Sequence, residues 1–316
     1  MAKWLVTGGC GFIGSHLVDA LLEQGDQVRV LDDLSSGKRE NIPAGVELRV
    51  GDVADANCVR ECFAGADGCF HLAAVASVQR CSAEWLATHR TNLQGTIAIF
   101  DQARQARPAA PLPVVYASSA AVYGDNAATP LAETAATIPL SSYGADKLAC
   151  ELHGRVAWHI HRIPNVGLRF FNVYGTRQDP SSPYSGVISI FTDRVAQDRA
   201  VEIFGDGRQT RDFIHVRDVV AHLIAAMAEL TTGARVFNVC TGRATSLLEL
   251  IATIGEIIGR PPIVRHGAAR NGDIRISVGD PSAAIAAYGL SSRTSLREGL
   301  RKMLGAAAAK GHSAAL

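Results

Sequence analysis

The segment Ser142-Tyr143-Gly144-Ala145-Asp146-Lys147 carries a phenol and an ammonium four residues apart, a spacing that sets both on one face of a helix. Ser119, in Ser118-Ser119-Ala120-Ala121-Val122-Tyr123-Gly124, adds a hydroxyl directly after a β-rich run. Together these groups suit one task, the removal of a proton from an alcohol while a hydride leaves the same carbon. A free phenol ionises near pH 10, so its use as a base near neutrality requires a drop of roughly three pH units, about 4 kcal/mol of differential stabilisation. An adjacent ammonium and a positively charged hydride acceptor both act in that direction. Lys147 is the fixed charge, and Ser119 is placed to hydrogen-bond the reacting oxygen and relay its proton.

A hydride acceptor is indicated near the amino terminus. Gly8-Gly9-Cys10-Gly11-Phe12-Ile13-Gly14 follows one β-rich run and opens a helical one, matching G-x-G-x-x-G from Gly9 and G-x-x-G-x-x-G from Gly8. Glycine is needed there because the chain turns tightly and a pyrophosphate must approach bare N–H groups at the positive end of a helix. Asp32 stands 18 residues after Gly14, at the end of the second strand, near the spacing of a carboxylate that holds the adenosine ribose. A carboxylate there favours NAD over the 2′-phosphorylated NADP. Lys38 and Arg39, beginning six residues on, read as solvated loop charges, although both are within reach of a phosphate. Asp52, after the third strand, either accepts from the adenine amino group or serves as a turn residue.

These groups need a scaffold that brings strand ends together. Candidate strands Trp4-Leu5-Val6, Val28 to Leu31, Val46 to Val50, Cys69 to Leu72 and Val114 to Tyr116 alternate with helical runs, the pattern of βαβ units feeding a parallel sheet. Ile13 to Gln24 reads as a helix, as does Glu84 to Arg107, where Trp85, His89, Leu93, Ile97 and Phe100 recur at steps of three and four. A third helix runs from about Tyr143 to Arg162; Pro164 ends it, and Val166 to Phe170 follows as a strand. The expected fold is α/β, a Rossmann-like doubly wound parallel sheet with a smaller mixed α/β lobe. Residues 1–171 form the NAD-binding domain and 172–304 mainly the substrate lobe, with some crossing segments. Ser295 and Glu298 form a candidate capping box, and 305–316 reads as a loose tail.

Composition narrows the class. The 316 residues are 47% hydrophobic and 19% charged, with a formal net charge of +1, so no global field draws the chain to nucleic acid or a membrane. The seven cysteines are odd in number, scattered and without a C-x-x-C pair, which fits a reducing cytoplasm and neither a disulfide framework nor a zinc site. His153, His159 and His161 lack the spacing of metal ligands on one helix face, so no metal is expected. No signal peptide or membrane span is read.

From about Lys3 to Leu304 the chain resembles the extended short-chain dehydrogenase/reductase family and, within it, the UDP-sugar 4-epimerases. Val6 to His16 is similar to the family's cofactor loop, which implies NAD contacts at Gly8, Gly11, Phe12, Ile13 and Gly14. Leu31-Asp32-Asp33-Leu34-Ser35 resembles its ribose site and Gly51-Asp52-Val53 its adenine site. Leu72, Ala73 and Ala74, in Phe70 to Ala74, and Asn92, in Thr91 to Thr96, match nicotinamide-side segments, where Tyr143 and Lys147 also belong. Ser119, Tyr143 and Lys147 match the catalytic trio. Family dehydratases place an Asp-Glu pair after the Ser or Thr, whereas Ala120-Ala121 stands here, which favours epimerisation.

The resemblance also implies a substrate site. Asn172, in Arg169 to Gly175, and Arg211 and Arg270 correspond to groups that bind the diphosphate. Val187, Ile203 and Phe204 correspond to parts that hold uracil, Asp273 to the uridine-ribose carboxylate, and Ser277 to a position bordering the sugar 2-substituent, where a small residue leaves room for an N-acetyl group. The implied reaction removes hydride from C4, turns the 4-keto sugar about its diphosphate and returns the hydride to the other face. UDP-glucose/UDP-galactose and the N-acetyl pair are the leading substrates. UDP-glucuronate and UDP-pentoses remain open: glucuronate enzymes tend to carry an Arg near the position of Asp179, with Arg177 two residues away. A non-catalytic NAD-binding regulator is the rival class. Helices Glu84 to Arg107 and Tyr143 to Arg162 resemble the family's dimer bundle, so a homodimer is expected.

Overall fold

Short β-branched runs followed by amphipathic helices return the chain repeatedly to the same edge of one sheet. The computed structural model describes residues 1–179, 186–269 and 274–313, with side chains as far as residue 305. Its main sheet holds β1 (Lys3–Thr7), β2 (Gln27–Asp32), β3 (Glu47–Val50), β4 (Gly68–His71), β5 (Val114–Ser119), β6 (Asn165–Phe170) and β11 (Ala234–Val239), all parallel, in the order β11-β6-β5-β4-β1-β2-β3. The winding reverses between β1 and β4, the point at which ligands enter open α/β sheets.

Helices cover both faces. Leu17, Val18 and Leu21 of α1 (Phe12–Glu23) share one apolar core with Val219, Leu223 and Met227 of α8 (Val216–Ala228). On the other face α2 (Ala56–Phe63), α5 (Gly95–Ala106) and α6 (Ser142–His161) bury Val59, Phe63, Ile99, Phe100 and Cys150 against the sheet. The chain therefore comes back to the large sheet after residue 172, through α8 and β11.

A separate core joins α7 (Val187–Ala196), α9 (Leu247–Ile258) and α11 (Leu296–Ser313) through Phe191, Val195, Leu250, Ile254 and Leu300. Short pairs complete this part: β7 (Asn172–Tyr174) with β10 (Phe213–His215), β8 (Val201–Phe204) with β13 (Val264–Gly267), and β9 (Thr210–Arg211) between β12 (Thr245–Ser246) and β14 (Ile276–Ser277). Helix α10 (Ser282–Tyr288) packs on β11.

The structure departs from the periodicity reading in three places. The helix expected over Glu84 to Arg107 is broken into α4 (Trp85–His89), a π-helical turn at Arg90–Gln94 and α5, and it is preceded by a short helix that was not expected, α3 (Val78–Ala83). The wider turn carries the fully buried Asn92. Where a loose tail is expected from residue 305, α11 continues to Ser313, through alanines with the highest helix propensity. The capping box at Ser295 is half made: Ser295 Oγ accepts from Glu298 N–H, but the Glu298 carboxylate accepts from Lys302 instead. A complete box forms at Ser246 and Glu249.

Candidate active site

The carboxyl ends of β1, β2, β4 and β5 open into a cleft of about 570 Å³, bounded on the far side by residues from β6, β7, β9 and β14. Gly8, Gly11, Phe12, Ile13 and Gly14 line it where α1 begins. A Cβ on Gly14 would stand 2.1 Å from the Gly8 carbonyl oxygen, and one on Gly8, whose φ is +69°, 2.7 Å from the Ala73 nitrogen. The loop therefore packs as bare backbone. No side chain caps α1, so its first-turn N–H groups are left for an anion. That cradle fits the pyrophosphate of NAD.

Asp32 lines the same cleft at the end of β2. Its two carboxylate oxygens accept from Cys10 N–H and Leu34 N–H, both at 2.9 Å, and the chain then turns through a left-handed Leu34, φ +58°. Burial raises its pKa, and these two N–H groups oppose the rise. Each oxygen keeps a lone pair for a ribose hydroxyl. Asp33 and Ser35 also line the cleft and bond each other at 2.6 Å.

Asp52 and Val53 line the cleft as well. Asp52 is a turn residue, accepting from Ala54 N–H at 2.8 Å, and it also pairs with Arg90 at 2.5 Å. Lys38 pairs with Asp179 at 3.1 Å, and the Arg39 guanidinium donates to the carbonyls of Ile42, Pro43 and Ala44.

Leu72, Ala73 and Ala74 form the opposite wall, continued by Val75. A buried chain holds it. Thr96 Oγ1 donates to the Asn92 carbonyl at 2.8 Å, which leaves it to accept from His71 Nε2 at 3.0 Å. His71 Nδ1 then accepts from Thr7 Oγ1 at 2.7 Å, and Thr7 Oγ1 accepts from Ala73 N–H at 3.2 Å. Asn92, expected at the cofactor, does not line the cleft. Its amide instead takes both main-chain groups of Val75, accepting from N–H at 2.8 Å and donating to the carbonyl at 3.2 Å, because the π turn directs it beneath the wall.

Ser119, Tyr143 and Lys147 all line the cleft. Tyr143 lies in the first turn of α6, which Ser141 caps by accepting from Gly144 N–H. One turn on, Lys147 is 2% exposed, donates to the Ala117 carbonyl at 2.9 Å and places its Nζ 5.8 Å from the Tyr143 ring centroid. Ser119 Oγ ends β5 and accepts from Ala121 N–H at 3.1 Å, so its proton remains to be donated. A phenol, a hydroxyl and a buried ammonium thus share one wall beyond the glycine loop.

Asn172, Arg211 and Ser277 lie on the far wall. Arg211 and Ser277 are register partners in β9 and β14, and the Arg211 guanidinium donates to the Thr210 and Ile274 carbonyls at 2.9 and 2.7 Å. Val187, Ile203 and Phe204, expected at the uracil, are not among the described lining residues. Ile203 is consumed by the small-lobe core, the Phe204 carbonyl accepts from Gln209 Nε2 at 2.9 Å, and Gly186 rather than Val187 reaches the cleft. Arg270 and Asp273 lie outside the described residues. Gln178, Thr91 and Val75 also line the cleft. Thr91 and Val75 adjoin segments already singled out, whereas nothing in the spacing marks Gln178.

The family described as the NAD dependent epimerase/dehydratase family matches residues 4–240. The chain belongs to that family. Its cofactor is NAD, and the protein is an epimerase. A UDP-glucose 4-epimerase of Mycolicibacterium smegmatis is 37% identical over 307 residues, 95% of this chain and 96% of the relative. Among solved structures, a Thermotoga maritima UDP-glucose 4-epimerase with UDP-glucose superposes with a TM-score of 0.92 at 35% identity, covering 98% of this chain and 99% of that one. A Methanobrevibacter ruminantium UDP-N-acetylglucosamine 4-epimerase in complex with UDP-N-acetylmuramic acid gives 0.92 at 33%, with the same coverage. Among the described residues no helix is long and apolar enough to cross a membrane.

Proposed function

We propose that the enzyme inverts C4 of a UDP-hexose, acting on the glucose/galactose pair, on their N-acetyl counterparts, or on both, through a transient 4-keto sugar. The reading rests on one observation: Ser119, Tyr143 and Lys147 share a single cleft with the uncapped glycine loop and with Asn172, Arg211 and Ser277. Tyr143, with the Lys147 ammonium one turn along the same helix face, takes the O4 proton, and Ser119 hydrogen-bonds O4 as the carbonyl forms. Bound NAD supplies reversible hydride acceptance at C4. Arg211 and Asn172 hold the diphosphate while the sugar presents its second face. Ala120 and Ala121 bring no carboxylate next to Ser119, so elimination of water has no acid and base there.

Residues 1–171 serve NAD and 172–304 mainly the UDP-sugar. Ser277, 8% exposed at the cleft wall, leaves volume for an N-acetyl group. Similarity to a UDP-glucose 4-epimerase and to a UDP-N-acetylglucosamine 4-epimerase supports both pairs. A uronate is disfavoured because Arg177 is engaged by Asp19 at 2.7 Å, Asp179 pairs with Lys38, and neither residue is among those lining the cleft. The buried thiols fit a reducing cytoplasm. Leu152, Val156 and Ile160, spaced by four on α6, are 52, 48 and 63% exposed, and Trp85 and Leu86 of α4 are exposed as well. Such a stripe suits a second copy of the chain.

Product analysis of NAD-loaded enzyme with UDP-glucose, UDP-N-acetylglucosamine, UDP-glucuronate and UDP-xylose tests the assignment. Turnover of one or both of the first two is expected, and turnover of neither refutes it.

A further inference from the structure

Directly behind the catalytic wall lies a buried polar cluster to which the proposed chemistry gives no role. Glu151, one helical turn past Lys147 on α6, and Arg169, three residues before Asn172 on β6, are 4 and 5% exposed. They form a fork, with Arg169 Nε 2.9 Å from Glu151 Oε1 and Nη2 2.7 Å from Oε2. Ser118, the neighbour of Ser119 on β5, donates its hydroxyl to Glu151 Oε1. The remaining Arg169 nitrogen, Nη1, donates to Tyr123 Oη at 2.8 Å and to the Glu133 carbonyl at 3.1 Å, and Tyr123 Oη donates to Asn238 Oδ1 at 2.7 Å.

A buried ion pair is weak evidence for stability, since well-packed apolar residues of similar volume often do as well or better. What the fork adds is direction. Apolar contact is non-directional, whereas two parallel N–H···O bonds fix both separation and angle. Here they set α6, which carries Tyr143 and Lys147, against β6, which leads to Asn172, while Ser118 ties in the end of β5. We propose that Glu151 and Arg169 are positioning residues, holding the Tyr143 phenol and the Ser119 hydroxyl at the separation the reaction needs. The proposal rests on the epimerase reading for its kinetic assay and on the packing alone for its structural one.

The test is the paired change Glu151→Leu with Arg169→Met, which removes both charges together and keeps the volume filled; either change alone strands a buried charge. The double variant is expected to melt near the wild-type temperature, to bind NAD with unchanged affinity, and to show KM for the UDP-sugar altered by less than about threefold with kcat reduced about 10²-fold, the loss that accompanies a displacement of about 1 Å. Wild-type kcat in the double variant overturns the proposal. Should it fail to fold, Ser118→Ala leaves the fork intact and severs its link to β5: a fall in kcat at constant KM supports the role, and unchanged kcat overturns it. Wild-type turnover, measured first, decides the epimerase reading separately. A variant structure needs no turnover, and an unaltered Ser119-to-Tyr143 separation also overturns the positioning role.

Discussion

Acid should strip stability from the wall that faces the cofactor, and His71 sets the size of the effect. The ring is enclosed between Thr7 and Thr96, and burial, with the Lys147 charge second, pushes its pKa from 6.5 down to about 3. At about 1.4 kcal/mol for each tenfold change in proton affinity, that difference corresponds to about 5 kcal/mol. The sign depends on which state binds the proton. Between pH 6.5 and 3 the unfolded chain is protonated at this ring and the folded chain is not, so the stabilisation is complete above pH 6.5 and falls by about 1.4 kcal/mol per pH unit below it. His215 and His222, both lowered by burial to about 4, act in the same direction and are unaffected when His71 alone is changed. His71→Gln keeps a donor towards Thr96 and removes the titration. Urea unfolding followed by tryptophan fluorescence should then show a wild-type advantage that is largest at pH 7 and shrinks by about 1.4 kcal/mol per pH unit from 6.5 towards 4. An advantage that stays constant over that range would refute the reasoning.

Four other outcomes are expected. Tyr143→Phe removes only the phenolic hydroxyl and should lower kcat about 10³-fold while equilibrium dialysis still finds NAD bound; retention of a large part of the turnover would exclude Tyr143 as the base. Gly14→Ala puts a methyl 2.1 Å from a backbone oxygen that cannot yield, so calorimetry should find NAD binding lost, and normal affinity would contradict the loop geometry. Ser277→Tyr should reduce kcat/KM for UDP-N-acetylglucosamine about tenfold more than for UDP-glucose, and equal losses would remove Ser277 from the sugar pocket. Leu152→Asp combined with Ile160→Asp should give a monomer by light scattering, and a dimer would place the interface elsewhere.

Much of the site was legible because its signals are local. Turn sterics demand glycine within a seven-residue loop, and a four-residue step puts Tyr143 and Lys147 on one helix face whatever the helix packs against. The strand-helix alternation through Phe170 is equally local, and it agrees with β1 to β6 of the main sheet, whereas β11, which joins them from beyond residue 172, is not among the strands read. The stretch around Asn92 shows where locality stops: the helix read over Glu84 to Arg107 takes a π turn there, invisible to periodicity, and the Asn92 amide meets Val75. Ile203 is a second case, since nothing in Glu202-Ile203-Phe204 says that the apolar core of α7 and α9 will claim the side chain.

The sequence by itself determined the fold class, the NAD loop and the types of group that do the chemistry, because each depends on neighbours within a turn or a strand. Only the tertiary structure decided how those groups are held. His71 meets Thr7 across 64 residues, Lys38 meets Asp179 across 141, and Ser118 meets Glu151 across 33. Such pairings are chosen by burial, where a polar group left without a partner costs more than the bond itself contributes, and burial exists only once the sheet has closed over its helices.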